Sequence, residues 1–258
     1  MPYRVVEETH LDGLDELKVL FLPRAIVTDE PVEAALGEFV RRGGTLVCES
    51  ECGAFDSQGL YRYPEDRFLA RLCGTREIGR RSLGGAAVTL NLDGKPCQLP
   101  VSQWLTPYAI EGNYDVLASH EDGPLAARVS VGAGQVILCG SYLGDAYRER
   151  FNAGYERFLL WTVKHAGWKP EIQVLSPQQR DESFVYVKHG ESNGRKLVFV
   201  FFPAGCGQVR LGFREGFLAR PGLRDLIAGR RIGVTETDCG QECIVAASEW
   251  RFSVLVEA

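Results

Sequence analysis

The chain has 258 residues, of which 45% are hydrophobic and 24% charged, with a formal net charge of −5. That composition suits a globular chain with a proper core, and the mixed signs lack the basic face a nucleic-acid partner needs. No apolar run reaches the roughly 18 residues of a membrane span, and the opening Met-Pro-Tyr-Arg-Val-Val-Glu-Glu lacks the apolar centre of a signal peptide, so a cytoplasmic protein without a membrane partner is expected.

In chain order, residues 3–6 are expected to form a strand. Residues 17–22 are an apolar run stopped by Pro23, as in a strand buried on both faces. Thr28 and Asp29 then offer helix N-caps, and Pro31 suits the first helical turn. Val32, Ala35, Leu36, Phe39 and Val40 recur at helical spacing, Gly43-Gly44 ends that helix, and residues 45–48 make the next buried strand. Strand, helix and strand in this order predict a βαβ unit and a parallel sheet. A glycine-bearing loop over 53–63 leads into a short helix over 64–73 that carries Phe68, Leu69 and Leu72 inward.

Between residues 86 and 131 the character changes. Asp93-Gly94 and Asp122-Gly123 each lie between strand-like runs and predict hairpins inserted into the α/β framework. Gly132-Ala133-Gly134 precedes a strand, so it reads as a tight turn and not as a phosphate loop. An apolar strand over 135–139 and a helix over about 151–166 close the unit. After Gly167-Trp168-Lys169-Pro170 only short strands follow, which predicts a small antiparallel β-sandwich. The expected fold class is therefore α/β, a flavodoxin-like or amidotransferase-like parallel sheet with a β-hairpin insert over residues 1–168, followed by a β-sandwich over 169–258.

Three segments carry a family resemblance. Residues 17–48 (LKVLFLPRAIVTDEPVEAALGEFVRRGGTLVC) resemble the trimerisation domain of family-42 β-galactosidases, which is built like a class I glutamine amidotransferase. Residues 134–143 (GQVILCGSYL) resemble that domain's last strand and its exit. Residues 183–203 and the ending at 250–257 resemble the small C-terminal β-domain that follows it. The resemblance implies a homo-oligomer, a trimer, and an upstream (β/α)8 barrel that holds the catalytic glutamates. Such a barrel takes roughly 250 residues by itself, so the family's catalytic residues have no positions here. A non-catalytic, oligomerising or structural region of such a glycoside hydrolase is the expected function, with no cofactor and no catalytic residue.

Several motifs need weighing against that reading. In class I amidotransferases the strand after the equivalent helix ends in a sharp turn that carries a nucleophilic cysteine. Register from Gly43-Gly44 puts that position on Ser50, with Glu51 and Cys52 following and Tyr142 facing from the late strand's exit. Nucleophilic catalysis needs a histidine base, and His10, His120, His165 and His189 all lie outside any such motif. A hydrolase or amidotransferase-like enzyme using Ser50 and Cys52 is thus an alternative. Glu49, Glu51, Asp145 and Glu149 could pair for glycoside hydrolysis, but a solvated acidic rim is the plainer expectation. Trp104, Pro107 and Tyr108 could stack on a sugar, which makes a carbohydrate-binding module a further alternative, or could form a subunit interface or hairpin core. Among the 8 cysteines, Cys48/Cys52 and Cys239/Cys243 have a C-x-x-x-C spacing, a weak zinc signal; reduced thiols and no metal are expected.

Overall fold

The computed structural model of the protein describes residues 4–83, 87–149, 151–176, 185–220, 222–238 and 240–257. The chain divides into two compact units, Val5–Trp168 and a second built on Lys169–Ala258.

In the first unit, β1 (Val19–Leu22) leads through α1 (Glu30–Arg41) to β2 (Thr45–Cys48), which lies parallel to β1. The Asp29 carboxylate accepts the Val32 N–H at 3.0 Å, which satisfies one of the donors left free in the first turn. Leu36, Phe39 and Val40 form the buried stripe of α1. The helix ends at Gly43, whose φ of +114° is open to glycine, and a Cβ on Gly44 would strike the Phe39 ring. After α2 (Phe68–Cys73) come β3 (Thr75–Glu77), β4 (Val88–Leu92), β5 (Lys95–Leu99), β6 (Tyr108–Ile110), β7 (Tyr114–His120), β8 (Gly123–Val131) and β9 (Gly134–Cys139). Helices α3 (Leu143–Glu149) and α4 (Ala153–His165) complete the unit.

The main sheet runs β1-β2-β9-β8-β7. β1, β2 and β9 are parallel, whereas β8 and β7 continue the sheet antiparallel. The expected flavodoxin-like parallel sheet is therefore corrected to a mixed one. The hairpin of β7 and β8, expected as an insert, forms one side of it. Only β4 and β5 stand apart as a hairpin, turned by Asp93 and Gly94 with φ of +53° and +78°, the type I′ geometry that matches strand twist. Alternate residues of the central strands face two cores. Leu46, Cys48, Val136 and Leu138 meet Leu36, Phe39, Phe68 and Leu69, while Val47, Ile137 and Cys139 meet Leu90, Leu99, Phe158 and Trp161.

A strand over residues 3–6 is also corrected. Residues 1–3 lie outside the described residues, residues 4–6 belong to no strand, and among the described residues β1 pairs only with β2. Val6 and Leu11 pack against the core under α1 instead.

The second unit contains β10 (Ile172–Ser176), β11 (Tyr186–Ser192), β12 (Arg195–Phe201), β13 (Gln208–Phe213), β14 (Gly222–Asp225), β15 (Arg230–Thr237), β16 (Gly240–Ala246) and β17 (Phe252–Glu257). They form one antiparallel sheet, ordered β10-β13-β16-β15-β14-β17-β12-β11, nearly closed and barrel-like. The two sheets of a sandwich are joined here by β15, whose Arg230–Gly233 half pairs with β14 while residues 234–237 pair with β16. Val198, Val200, Leu211, Leu223, Val245 and Leu255 fill the interior. Residue 184, expected to open a strand, and Cys239 lie outside the described residues. With 42% strand and 18% helix, the molecule is mostly β and not α/β.

Candidate functional site

β2 ends at Cys48, and the chain turns sharply through Glu49, Ser50, Glu51, Cys52 and Gly53. The turn expected here exists, but the left-handed residue is Glu51, with φ of +60°, one position beyond Ser50. That conformation brings a β-carbon close to the following carbonyl, so a non-glycine residue holds it only where its surroundings insist.

The surroundings of Glu51 supply the reason. The residue is only 8% exposed, and its Oε1 accepts both Nε and Nη2 of Arg80, at 3.0 and 2.5 Å. Oε2 accepts the Tyr142 hydroxyl at 2.6 Å, and the Glu51 N–H donates to Glu77 Oε1 at 2.5 Å. Glu77 is in turn paired with Arg67, which also donates to the Tyr61 hydroxyl at 3.0 Å. Arg80 lies 4.0 Å over the Trp104 ring, and the edge of Trp104 meets Tyr142 at 5.6 Å between centroids. Burial first, and then the Glu51 carboxylate, push the Tyr142 phenol well above its ordinary range, so it stays a donor. Burial raises Glu77 too, with Arg67 acting against it.

Glu49 sits behind this group. Its carboxylate accepts the backbone N–H of Gly144 at 2.7 Å and of Arg24 at 3.0 Å, while burial raises it from 4.5 to about 7. The expected solvated acidic rim is thus corrected for Glu49 and Glu51, which are both buried; Glu149 is exposed, and Asp145 pairs with Arg24 at 2.8 Å.

Of the other sequence candidates, Ser50 is 0% exposed and its Oγ lies 2.5 Å from Thr106 Oγ1. Cys52 is buried in the core under α1 beside Cys48, whose thiol is raised first by its hydrogen bond with Cys52 and then by burial. Cys52 is 2% exposed and Cys48 0%, so neither thiol can meet a substrate. Among the described residues no histidine bonds to either: His10 meets Glu7, His120 meets Asp122, His165 meets Asp93 and His189 meets Glu171. Trp104 joins the elbow through Arg80. Pro107 and Tyr108, for which a core role was one of the alternatives, are interior: Tyr108 is 1% exposed and its ring packs in the core under α1. The structure therefore unites Glu51, Tyr142 and Trp104, encloses Ser50, and places Cys52 and Tyr108 in the same core. Arg80 and Glu77 escaped the sequence reading, because they reach Glu51 from 29 and 26 residues away with no periodic link.

Among the described residues, His120, Glu121 and Asp122 could bring ligand atoms together for a cation, but they lie at an open turn and Arg81 already holds Asp122 at 2.6 Å. A guanidinium on the same carboxylate opposes a metal there.

No protein-family model and no curated protein matches the sequence. Solved structures do match, and the proteins they belong to are named as glycoside hydrolases. More particularly, the chain has the fold of a domain region of family-42 β-galactosidases. It aligns with β-galactosidase from Bacillus circulans sp. alkalophilus with a TM-score of 0.70 and 18% identity, over 96% of this chain and 34% of that one. For Gan42B, a GH42 β-galactosidase from G. stearothermophilus, the TM-score is 0.67 at 19% identity, over 96% and 33%. α-L-Fucosidase isoenzyme 2 from Paenibacillus thiaminolyticus shares the fold with a TM-score of 0.63 at 12% identity, over 96% and 42%. The chain spans about a third of the length of the β-galactosidases it matches.

Proposed function

We propose that this chain serves a family-42-type glycoside hydrolase as a non-catalytic, oligomerising region. The observation that carries the reading is the elbow after β2. Where an amidotransferase-like domain would present a nucleophile, this chain holds Glu51, and both of its carboxylate oxygens are engaged by Arg80 and Tyr142. A carboxylate tied in this way serves as a structural lock, with three donors of the protein on its two oxygens. The neighbours add support: proteins named for β-galactose and for α-fucose share this fold, so the fold by itself does not choose a sugar.

The reading is tested in two parts. Purified chain should show no turnover of a chromogenic β-galactoside or of glutamine; turnover abolished by Glu49→Gln or Glu51→Gln would overturn the non-catalytic assignment. Light scattering at micromolar concentration should give a trimer, the state implied by the family resemblance. A monomer at that concentration would remove the oligomerising role and leave the structural one.

A further inference from the structure

Between α1 and α2 lies a half-open groove of about 470 Å3. It is lined by the guanidinium groups of Arg41, Arg62 and Arg71 against the carboxylates of Glu30 and Glu33, an excess of positive charge in a chain whose net charge is −5. Its base is Glu33, buried on α1, which accepts Thr28 Oγ1 at 2.7 Å, Arg71 Nη2 at 2.5 Å and Arg62 Nη1. One buried carboxylate thus holds two guanidinium groups side by side against their mutual repulsion. Each guanidinium has five N–H donors; Glu33 uses a single nitrogen of each and the Asp66 carbonyl takes Nη1 of Arg71 at 2.5 Å, which leaves donors on both.

Arg41 completes the groove. It lies one turn beyond Gly37 on α1, and a Cβ at Gly37 would come within 3.1 Å of Arg41 Nη1. Glycine is unfavourable within a helix, and here its missing side chain makes the room in which the Arg41 guanidinium lies across the helix. Among the described residues the side chain of Arg41 has no ion pair or hydrogen bond, in contrast to Arg62 and Arg71. Ala34 of α1 and Leu72 of α2 supply an apolar wall. Converging guanidinium forks select carboxylate and phosphate oxygens, and a volume within the roughly 300–1,000 Å3 of small-molecule sites admits more than a bare ion.

We propose that this groove binds a small organic anion, a carboxylate or phosphate ester whose carbon body is about the size of a monosaccharide. Arg41 and Arg71 grip the anionic group, and the body rests on Ala34 and Leu72. Calorimetric titration of the full chain with glucuronate, glucose 6-phosphate, inorganic phosphate and glucose tests it. At least one of the two organic anions should bind, more weakly as salt rises, and their relative affinity distinguishes carboxylate from phosphate; glucose should not bind. Arg41→Gln should weaken binding about 10-fold or more with an unchanged melting temperature, since this side chain supports no other group. The inference fails if neither organic anion binds at about 10 mM, far above the affinity such a site would give, if Arg41→Gln binds as the parent does, or if inorganic phosphate binds as tightly as glucose 6-phosphate.

Discussion

Glu49 is held by two backbone N–H groups, yet burial still lifts its carboxyl from 4.5 to about 7. A carboxyl raised on folding stabilises the folded state below its unfolded pKa, and that contribution is lost as pH rises through the folded value. Unfolding free energy should therefore fall between about pH 4.5 and pH 7 on account of this residue. Glu49→Gln cannot ionise, although it loses one of the two acceptors. Relative to the parent, the variant should gain on the order of 1–3 kcal/mol as pH rises from about 5 to 8, read by urea unfolding at each pH. A constant difference across that range would show that Glu49 does not titrate there. Two residues on, Glu51 combines an ion pair with a left-handed backbone. Glu51→Ala should cost about 2–3 kcal/mol, because it removes the partner of Arg80 and Tyr142 and keeps the unfavourable φ. Glu51→Gly should be about 1 kcal/mol less damaging than Ala, because glycine meets no penalty at φ of +60°. Equal losses in the two variants would mean that the turn relaxes when the ion pair is gone.

At the scale of elements, α1 is positioned from both ends. Asp29→Ala removes the cap on Val32 N–H and should cost about 1 kcal/mol in chemical denaturation. At the other end, the turn before β9 packs on the helix terminus so closely that a Cβ on Gly134 would collide with the carbonyl oxygens of Val40 and Gly44. Neither oxygen can retreat, since both belong to backbone. Gly134→Ala should therefore cost more than the cap, about 2 kcal/mol or above, and lower the melting temperature accordingly. A variant as stable as the parent would show that β9 can shift relative to α1 without loss.

At the scale of the molecule, each unit has a core of its own, centred on residues such as Leu138 and Ile137 in the first and Leu211 and Leu255 in the second. Residues 5–168 and 169–258, expressed apart, should each give a cooperative melt and dispersed amide spectra. A collapsed, poorly dispersed spectrum from either piece would show that its core needs the rest of the chain.

Features governed by neighbours in sequence could be read from the residues themselves. The Asp29 cap, the apolar stripe of α1, the parallel step from β1 to β2 and the Asp93-Gly94 hairpin each depend on contacts or torsions within a few dozen residues, where periodicity and turn chemistry act directly. The sharp turn after β2 was legible for the same reason. Its content was legible only in part: Tyr142 could be placed beside it at the exit of the late strand, whereas Arg80 and Glu77 approach Glu51 from segments that no spacing links to it before the chain is folded. Tertiary structure alone decided that β7 and β8 extend the main sheet, because hairpin residues do not specify which third strand they join. It also decided that the second unit curls into one sheet. β15 carries a single buried residue, Ile232, so its sequence hardly reads as a strand; its place comes from hydrogen bonds to β14 on one half and β16 on the other. Local torsional preference and amphipathic period are written in the order of residues, whereas the pairing of remote strands and charges depends on which surfaces the packed cores leave facing one another.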